Sequence, residues 1–469
     1  MISHRIVFFL AVFCIPATSD AVILDFMESI TDAVANFSGT KNTEKFNSSP
    51  SSMITNREEK GPVLNLDDCL ALALRDNLNL KSQGQQVISS EAMASASMRD
   101  LLPGVSVSSQ RSDIINAPAG SSLAETYSTT LSVTQPIYHG GALLNTWKKS
   151  EIARDQAIMD AERQVQTLTK NVKDSWIDLL KAIRQTKEAE ESLERLKEHA
   201  RFAKAFFDEG KYWANDVLQA QVKIAQGEQA LIEAENSVAL AKSTLNVLMH
   251  RPLIAPFEAA GDLEFKSFAG NLDIFFNKAL KNRKDLEKAR LNVASSRLSE
   301  QTKKGSMFPQ LDLTGSTAWN AQDISYNHSH PTTTVLMTAT WDVWKWGKTM
   351  KEQQSLEAAT EKSSLDAQAL EEAVLSEVRK AYLEVKGAER KVGVLAQSID
   401  QAKENFRVNQ IRYQEKLSTA NDVLTAMDLL TTTKNSHTDA LSSYLKALGA
   451  LELAVGIDMG ELEHEKNNE

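Results

Sequence analysis

The chain repeats itself, without a gap, at a spacing of 206 residues. Leu66-Asp67 returns as Leu272-Asp273, Ala73-Leu74 as Ala279-Leu280, Pro103 as Pro309 and Gly141 as Gly347. The run Ala214-Asn215-Asp216-Val217-Leu218 returns as Ala420-Asn421-Asp422-Val423-Leu424, and Leu245 as Leu451. Helix breakers and turn motifs held in one spacing over about 185 residues mark two copies of one structural unit. The copies span roughly 63–256 and 272–456, joined by a linker at 257–271 and followed by a polar tail at 457–469. Whatever one copy folds into, the other must fold into as well.

Each copy carries the same order of periods. A helix begins at Asp67 or Asp68 and runs to Leu102, where Pro103 stops it; its counterpart runs from Asp273 to Phe308 and stops at Pro309. The period then falls to two. Val105-Ser106-Val107-Ser108 and Leu311-Asp312-Leu313-Thr314 alternate, and a second strand returns in each copy, giving hairpins at 103–138 and 309–344. Loops at 112–126 and 321–331 join the strands. At about ten residues each, these strands are long enough to cross a bilayer core when tilted. Tyr138, Trp341, Trp344 and Trp346 gather at the hairpin ends, with Trp319 and Tyr326 nearby, as an aromatic belt at a lipid–water boundary would place them; ordinary sheet packing of aromatics is the alternative.

Behind Gly141 a long helix runs from about Ala142 to Phe207, with apolar residues at 3–4 spacing, and copy two repeats it from Lys348 to Tyr413. At 1.5 Å per residue that is roughly 100 Å. A turn reverses the chain, and a shorter helix returns from Asn215 to Met249, with Asn215 and Asn421 expected as helix caps. The shorter helices before the hairpin and after the turn together match the long one. Each copy therefore supplies one unbroken rod and one rod made of two pieces.

Composition agrees with extended helix: 6% aromatic, 24% charged and 10 prolines in 469 residues. The net charge of −10, with basic residues scattered, argues against a nucleic-acid partner. His4-Arg5, an apolar run from Ile6 to Ile15 and Ala17-Thr18-Ser19 read as an export leader over 1–19, cut before Asp20. Residues 20–62 form an extension and linker rich in Ser, Asn and Lys. Cys14 lies in the leader, so Cys69 has no partner for a disulfide within the processed chain. No later run of about 18 apolar residues exists to make a membrane helix, so any membrane insertion must be by strands.

Four strands cannot close a barrel, for which about eight is the minimum. In lipid an open sheet edge leaves unpaired backbone groups, each costing several kcal/mol. If the hairpins sit in a membrane, chains must pool their strands: two copies would give eight, three twelve and four sixteen. Strand number alone does not choose among these.

These features, with Gln135-Pro136-Ile137-Tyr138-His139-Gly140-Gly141 at the strand-to-helix junction, Leu102-Pro103, Phe308-Pro309-Gln310 and the paired Asn-Asp-Val-Leu turns, resemble the TolC family of outer-membrane efflux channels. The resemblance covers Leu66 to Gly456. It implies a mainly helical protein with membrane β-strands, in which three protomers share a twelve-stranded barrel continuous with an α-helical tunnel across the periplasm. It also implies a periplasmic adaptor and an inner-membrane transporter as partners. By the same resemblance, Asp422 and Tyr413 match a constriction aspartate and an aromatic that help hold the tunnel shut, and Asp216 matches the first-copy aspartate of that lock. The tip turns at Gly210, Asn215, Lys416 and Asn421 would meet the adaptor. The pattern departs at Thr425, Lys416 and Ser418, where the family has aspartate, glycine and arginine, and at Trp341-Asp342-Val343, where it has proline.

No catalytic signature is present: no nucleophile elbow, zinc-protease helix, Walker loop or dinucleotide glycine motif. The close pair His328 and His330 sits in a loop and reads as solvated rather than as a metal site. No cofactor is expected. The carboxylates on the helices, as at Glu188, Glu190 and Glu191 ahead of Arg195 and Lys197, form solvated coiled-coil faces. The expected role is an exit duct without enzymatic activity; the alternatives are an exported coiled-coil scaffold and a periplasmic enzyme.

Overall fold

Reciprocal hydrogen bonds start the first helix: Asn65 Oδ1 accepts from the Asp68 amide and Asp68 Oδ2 accepts from the Asn65 amide. The computed structural model describes residues 61–113, 125–210, 213–321 and 331–457. The leader, residues 20–60, Tyr326, His328, His330 and the tail beyond 457 lie outside them. In copy one, β1 (Val63–Leu64) leads to α1 (Leu66–Asp76), α2 (Leu78–Arg99), β2 (Gly104–Asp113), β3 (Glu125–Tyr138), α3 (Ala142–Asp208) and α4 (Ala214–Leu248). After β4 (Glu258–Ala259), copy two gives α5 (Leu272–Asn282), α6 (Lys284–Gly305), β5 (Gln310–Ala321), β6 (Thr332–Thr340), α7 (Lys348–Gln414) and α8 (Ala420–Val455). Helix starts in the two copies differ by the repeat spacing throughout.

The helix expected from Asp67 to Leu102 is two helices, and so is its counterpart. The break falls at Asn77 in copy one (φ −59°, ψ 126°) and at Arg283 in copy two (φ −68°, ψ 114°). Both breaks serve the two-piece rod. Asn77 Oδ1 accepts from the amides of Asn79 and Leu80, while its Nδ2 donates to the Leu248 carbonyl at the end of α4. Arg283 Nη1 donates to the Ala454 carbonyl, the equivalent position near the end of α8. Each break thus carries a donor aimed at a carbonyl that the end of the neighbouring helix leaves without an intrahelical partner.

The largest core sits at these joints. Cys69, Ala73, Val172, Leu179, Leu245, Val378, Val385, Tyr444 and Leu451 are fully buried there. The inter-repeat segment 257–271 packs across this core: Phe257, Leu263 and Phe268 are buried, the Phe268 and Phe275 rings stack at 5.8 Å, and Tyr444 Oη donates to the Lys266 carbonyl. β4 pairs in parallel with β1, tying the start of copy one to this segment. From the core, α3 and α7 run 67 residues each. α3 packs on α2 along one part and on α4 along the other, and also touches α6 and α8.

At one end the strands form a four-stranded antiparallel sheet in the order β2-β3-β5-β6. At the other end, two turns reverse the chain between α3 and α4 and between α7 and α8. Left-handed backbone recurs in pairs across the copies: Gly140 with Trp346, Gly141 with Gly347, Gly210 with Lys416, and His250 with Gly456. Each non-glycine residue in that conformation thus has a glycine as its counterpart. Lys416 adopts φ 63° because its turn has the geometry that Gly210 takes at φ 71°.

Candidate functional site

The sheet has two chemically distinct faces. Register places Val105, Val133, Gly315 and Val335 in one row, with Val107, Leu131, Leu313 and Met337 on the same face. The opposite face carries Ser106, Ser132, Ser316 and Thr334 in one row, with Thr134, Thr314 and Thr338 beside it and Leu336 as its apolar exception. Ser106 and Ser132 hydroxyls meet at 2.8 Å, and those of Thr134 and Thr314 at 3.2 Å. The valine-bearing face also carries hydroxyl pairs toward the loops, Ser109 with Thr129 and Thr317 with Thr333. Nearer the helices, a mainly apolar face and a mainly hydroxyl face suit a sheet with lipid on one side and water on the other. Among the described residues β2 pairs with β3 alone and β6 with β5 alone, and every residue of both outer strands is exposed.

At the foot of the sheet, Tyr138, Trp341, Trp344 and Trp346 are all exposed, and the Trp344 and Trp346 rings meet edge to face at 6.2 Å. Trp341 Nε1 donates to the Met307 carbonyl, and Gln135 Nε2 donates to the equivalent Leu101 carbonyl, each at 3.0 Å. Different side chains thus hold the strand against the same prolyl corner in the two copies. Asp342, standing where the first copy has Pro136, pairs with Lys345.

At the far tip, Tyr413 is 2% exposed and packs against the His199 ring (5.1 Å between centroids) and the Phe206 ring (6.0 Å), both on α3. Leu196, Val423, Leu424 and Met427 complete this cluster, so α3, α7 and α8 meet around one phenol ring. A cavity of about 130 Å³ opens beside it, lined by Arg195, His199, Phe202, Phe406, Gln410 and Tyr413 among others. His199 is buried with no hydrogen-bond partner for Nε2 among the described residues, and burial lowers its pKa below the ordinary imidazole value. Farther along, Lys434 of α8 donates to Glu188 and Glu191 of α3, and Lys223 of α4 donates to Asp428 of α8. The two helical hairpins are therefore cross-tied at several levels. The Lys434 hydrogen bond holds the Glu191 carboxyl below the usual carboxylate range.

Asp422 lies at this tip, but its carboxylate is engaged. Oδ2 accepts from the Thr419 amide (2.9 Å), the Thr419 hydroxyl (2.8 Å) and the Ser418 hydroxyl (3.0 Å), and the Thr419 amide leads in lowering its pKa. Thr419, rather than Asn421, is the N-cap of α8, and Trp213, rather than Asn215, stands at the N-cap of α4. The expected asparagine caps are thus corrected: each helix starts one residue before its asparagine, which falls inside the first turn. Copy one has no capping box because Trp213 offers no acceptor, and among the described residues Asp216 has no side-chain partner. Gly210, Asn215, Lys416 and Asn421 are exposed at the turns. His199, Thr419 and Lys434 were not singled out by the sequence; His199 sits on the apolar seam of α3, where a polar residue is the sole visible signal.

The model of the family described as outer membrane efflux protein matches residues 69–249 and 275–457, one match per copy. The chain belongs to that family. The alkaline protease secretion protein AprF of Pseudomonas aeruginosa is 24% identical over 352 residues, covering 72% of each chain. The CmeC outer membrane channel of Campylobacter jejuni has the same fold at 18% identity, with a TM-score of 0.75 over 92% of this chain and 98% of CmeC. VceC of Vibrio cholerae matches at 15% identity and a TM-score of 0.72, over 83% of this chain and 96% of VceC. This outer membrane efflux protein is an exit duct of the efflux and secretion type, with its sheet in the outer membrane and its helices in the periplasm. Its family is one of channels, which leaves the exported scaffold and the periplasmic enzyme without support. Members are the outer-membrane components of tripartite efflux and secretion systems.

Proposed function

We propose that three copies pool their sheets into a twelve-stranded barrel above a helical tunnel, and that this tunnel is shut at the tip by α7 and α8. The observation that carries this reading is the sheet itself: two edges unpaired among the described residues, one mainly apolar face and one mainly hydroxyl face. Closure satisfies both edges and puts the hydroxyls around water. Three is the number in the TolC family. The ring at the foot of the barrel, Tyr138, Trp341, Trp344 and Trp346, sits at the lipid boundary. Tyr413 and Asp422 of copy two, with Asp216 of copy one, form the closing region. Opening is a shift of the α7–α8 hairpin against α3 and α4 between two packings, biased by a periplasmic adaptor at Gly210, Asn215, Lys416 and Asn421. An inner-membrane transporter supplies the energy.

The cargo is a polypeptide. The relative AprF, named for secretion of an alkaline protease, supports this choice over small solutes. The test compares culture medium from cells lacking the chain and from complemented cells. Loss of a secreted protein, restored by complementation with drug tolerance unchanged, supports the reading; altered drug tolerance with an unchanged secreted set overturns it. Pull-down of the chain recovers the adaptor and transporter.

A further inference from the structure

Within the chain, β3 of copy one pairs with β5 of copy two, with Thr134 opposite Thr314 and Val133 opposite Gly315. A shift of both strands by the repeat spacing carries Thr134 onto Thr340 of β6 and Thr314 onto Ser108 of β2 in a second copy. The free edges thus fit each other in one register, Thr340 opposite Ser108 and Ala339 opposite Ser109. A head-to-tail contact of this kind closes into a ring when its rotation divides a full turn evenly.

The same shift identifies what meets below the sheet. Inside the chain, the junction ahead of α3 crosses the end of α6 at Gly140 and Gly305. A Cβ on Gly140 would lie 2.0 Å from the Gly305 carbonyl oxygen, and one on Gly305 would lie 1.9 Å from the Gly140 oxygen. The crossing is backbone on backbone and tolerates no side chain. Its counterparts at the subunit seam are Trp346 and Arg99, neither of which can reproduce it. Trp346 is 90% exposed in left-handed backbone (φ 51°), an uncommon conformation for a bulky residue. Arg99, in the last turn of α2, is exposed and forms no ion pair among the described residues. The other tie of the inner crossing, His139 Nε2 to Asp312 Oδ1 at 2.8 Å, maps onto Lys345 and Ser106 at the seam, and Lys345 is already paired with Asp342.

We propose that Trp346 of one copy lies over the Arg99 guanidinium of the next, filling a subunit seam wider than the Gly140–Gly305 crossing. This rests on the closed-ring reading above. A planar guanidinium against an indole face is a favourable pair, and it occupies the space that two Cβ-bearing residues force open. The ring then alternates narrow crossings inside each chain with wide ones between chains. The repeat alone would make them all alike.

The test uses the full chain in outer membranes. Thr340→Cys with Ser108→Cys, treated with an oxidant or a short bis-thiol linker, gives a ladder of covalent oligomers. Thr340→Cys with Val107→Cys gives none, because Val107 points to the other face. Cys69, 0% exposed, does not compete. W346A and R99A each lower the temperature at which the detergent-extracted oligomer dissociates, and the double variant lowers it no further than one alone. Additive shifts, or unchanged dissociation in both single variants, overturn the Trp346–Arg99 contact. No ladder from an intact oligomer overturns the register and leaves the ring standing. A monomeric wild-type chain overturns the ring itself.

Discussion

Asn77 and Arg283 occupy equivalent breaks in the two copies and reach equivalent carbonyls, those of Leu248 and Ala454. The two are not interchangeable in energy. Arg283 is 5% exposed and also pairs with the partly exposed Asp285 and the exposed Glu377, so its loss removes two ion pairs as well as a helix-end hydrogen bond.

R283A should therefore cost about 3 kcal/mol of stability, because a charge-paired group is removed from a buried site. N77A should cost about 1–2 kcal/mol, one cap and one hydrogen bond. Thermal unfolding followed by circular dichroism checks the order. Equal losses would contradict the role given to Arg283.

Acid should loosen the tip through His199. Burial lowers its pKa from the ordinary value of 6.5, so the packed state favours the neutral ring. The stability this lends is complete above pH 6.5 and falls as the pH drops from there towards the lowered value. Arg195 and Glu198 on α3 also border the cavity, while Gln410 and Gln414 face it from α7 without charge. Planar-bilayer conductance should rise as the pH is taken from 7.5 to 5, and H199F should flatten the response while Y413F retains it. A steep response in H199F would assign the titration elsewhere.

Asp422 carries two separable contributions, a cap and a charge. D422A should lower cation preference and increase hydrogen exchange in the first turn of α8, because the acceptor for Thr419 is gone. T419A should increase the exchange alone. Unchanged selectivity in D422A would remove Asp422 from the conducting path and leave it as a helix cap.

The faces of the sheet should differ in their tolerance of charge. V133R places a guanidinium on the apolar face at about 2–4 kcal/mol near mid-membrane, whereas S132R stands on the hydroxyl face. Recovery of oligomer from outer membranes should fall sharply for V133R and little for S132R, which should instead shift conductance. The reverse order would put lipid on the wrong side.

Much of this molecule was legible because it is written twice. The hairpins, the 67-residue helices and the two-piece rods follow from Pro103, Gly141 and their counterparts, which interrupt one period and start another. The breaks at Asn77 and Arg283 were not visible, since the apolar period runs across them and the carbonyl each one reaches is more than 150 residues distant. The caps at Trp213 and Thr419 were missed because Asn215 and Asn421 are better formers by preference alone, and the turn geometry moved each start one residue earlier. His199 was opaque for a related reason. Its neighbour Tyr413 comes from the other copy, and spacing says nothing about which polar side chain a distant ring will cover.

The count of chains in the membrane-extracted complex tests the account most directly. Native mass spectrometry from detergent, paired with bilayer recording of the same sample, should find three chains per complex and discrete conducting events. A single folded chain with both sheet edges free and no conductance would contradict it.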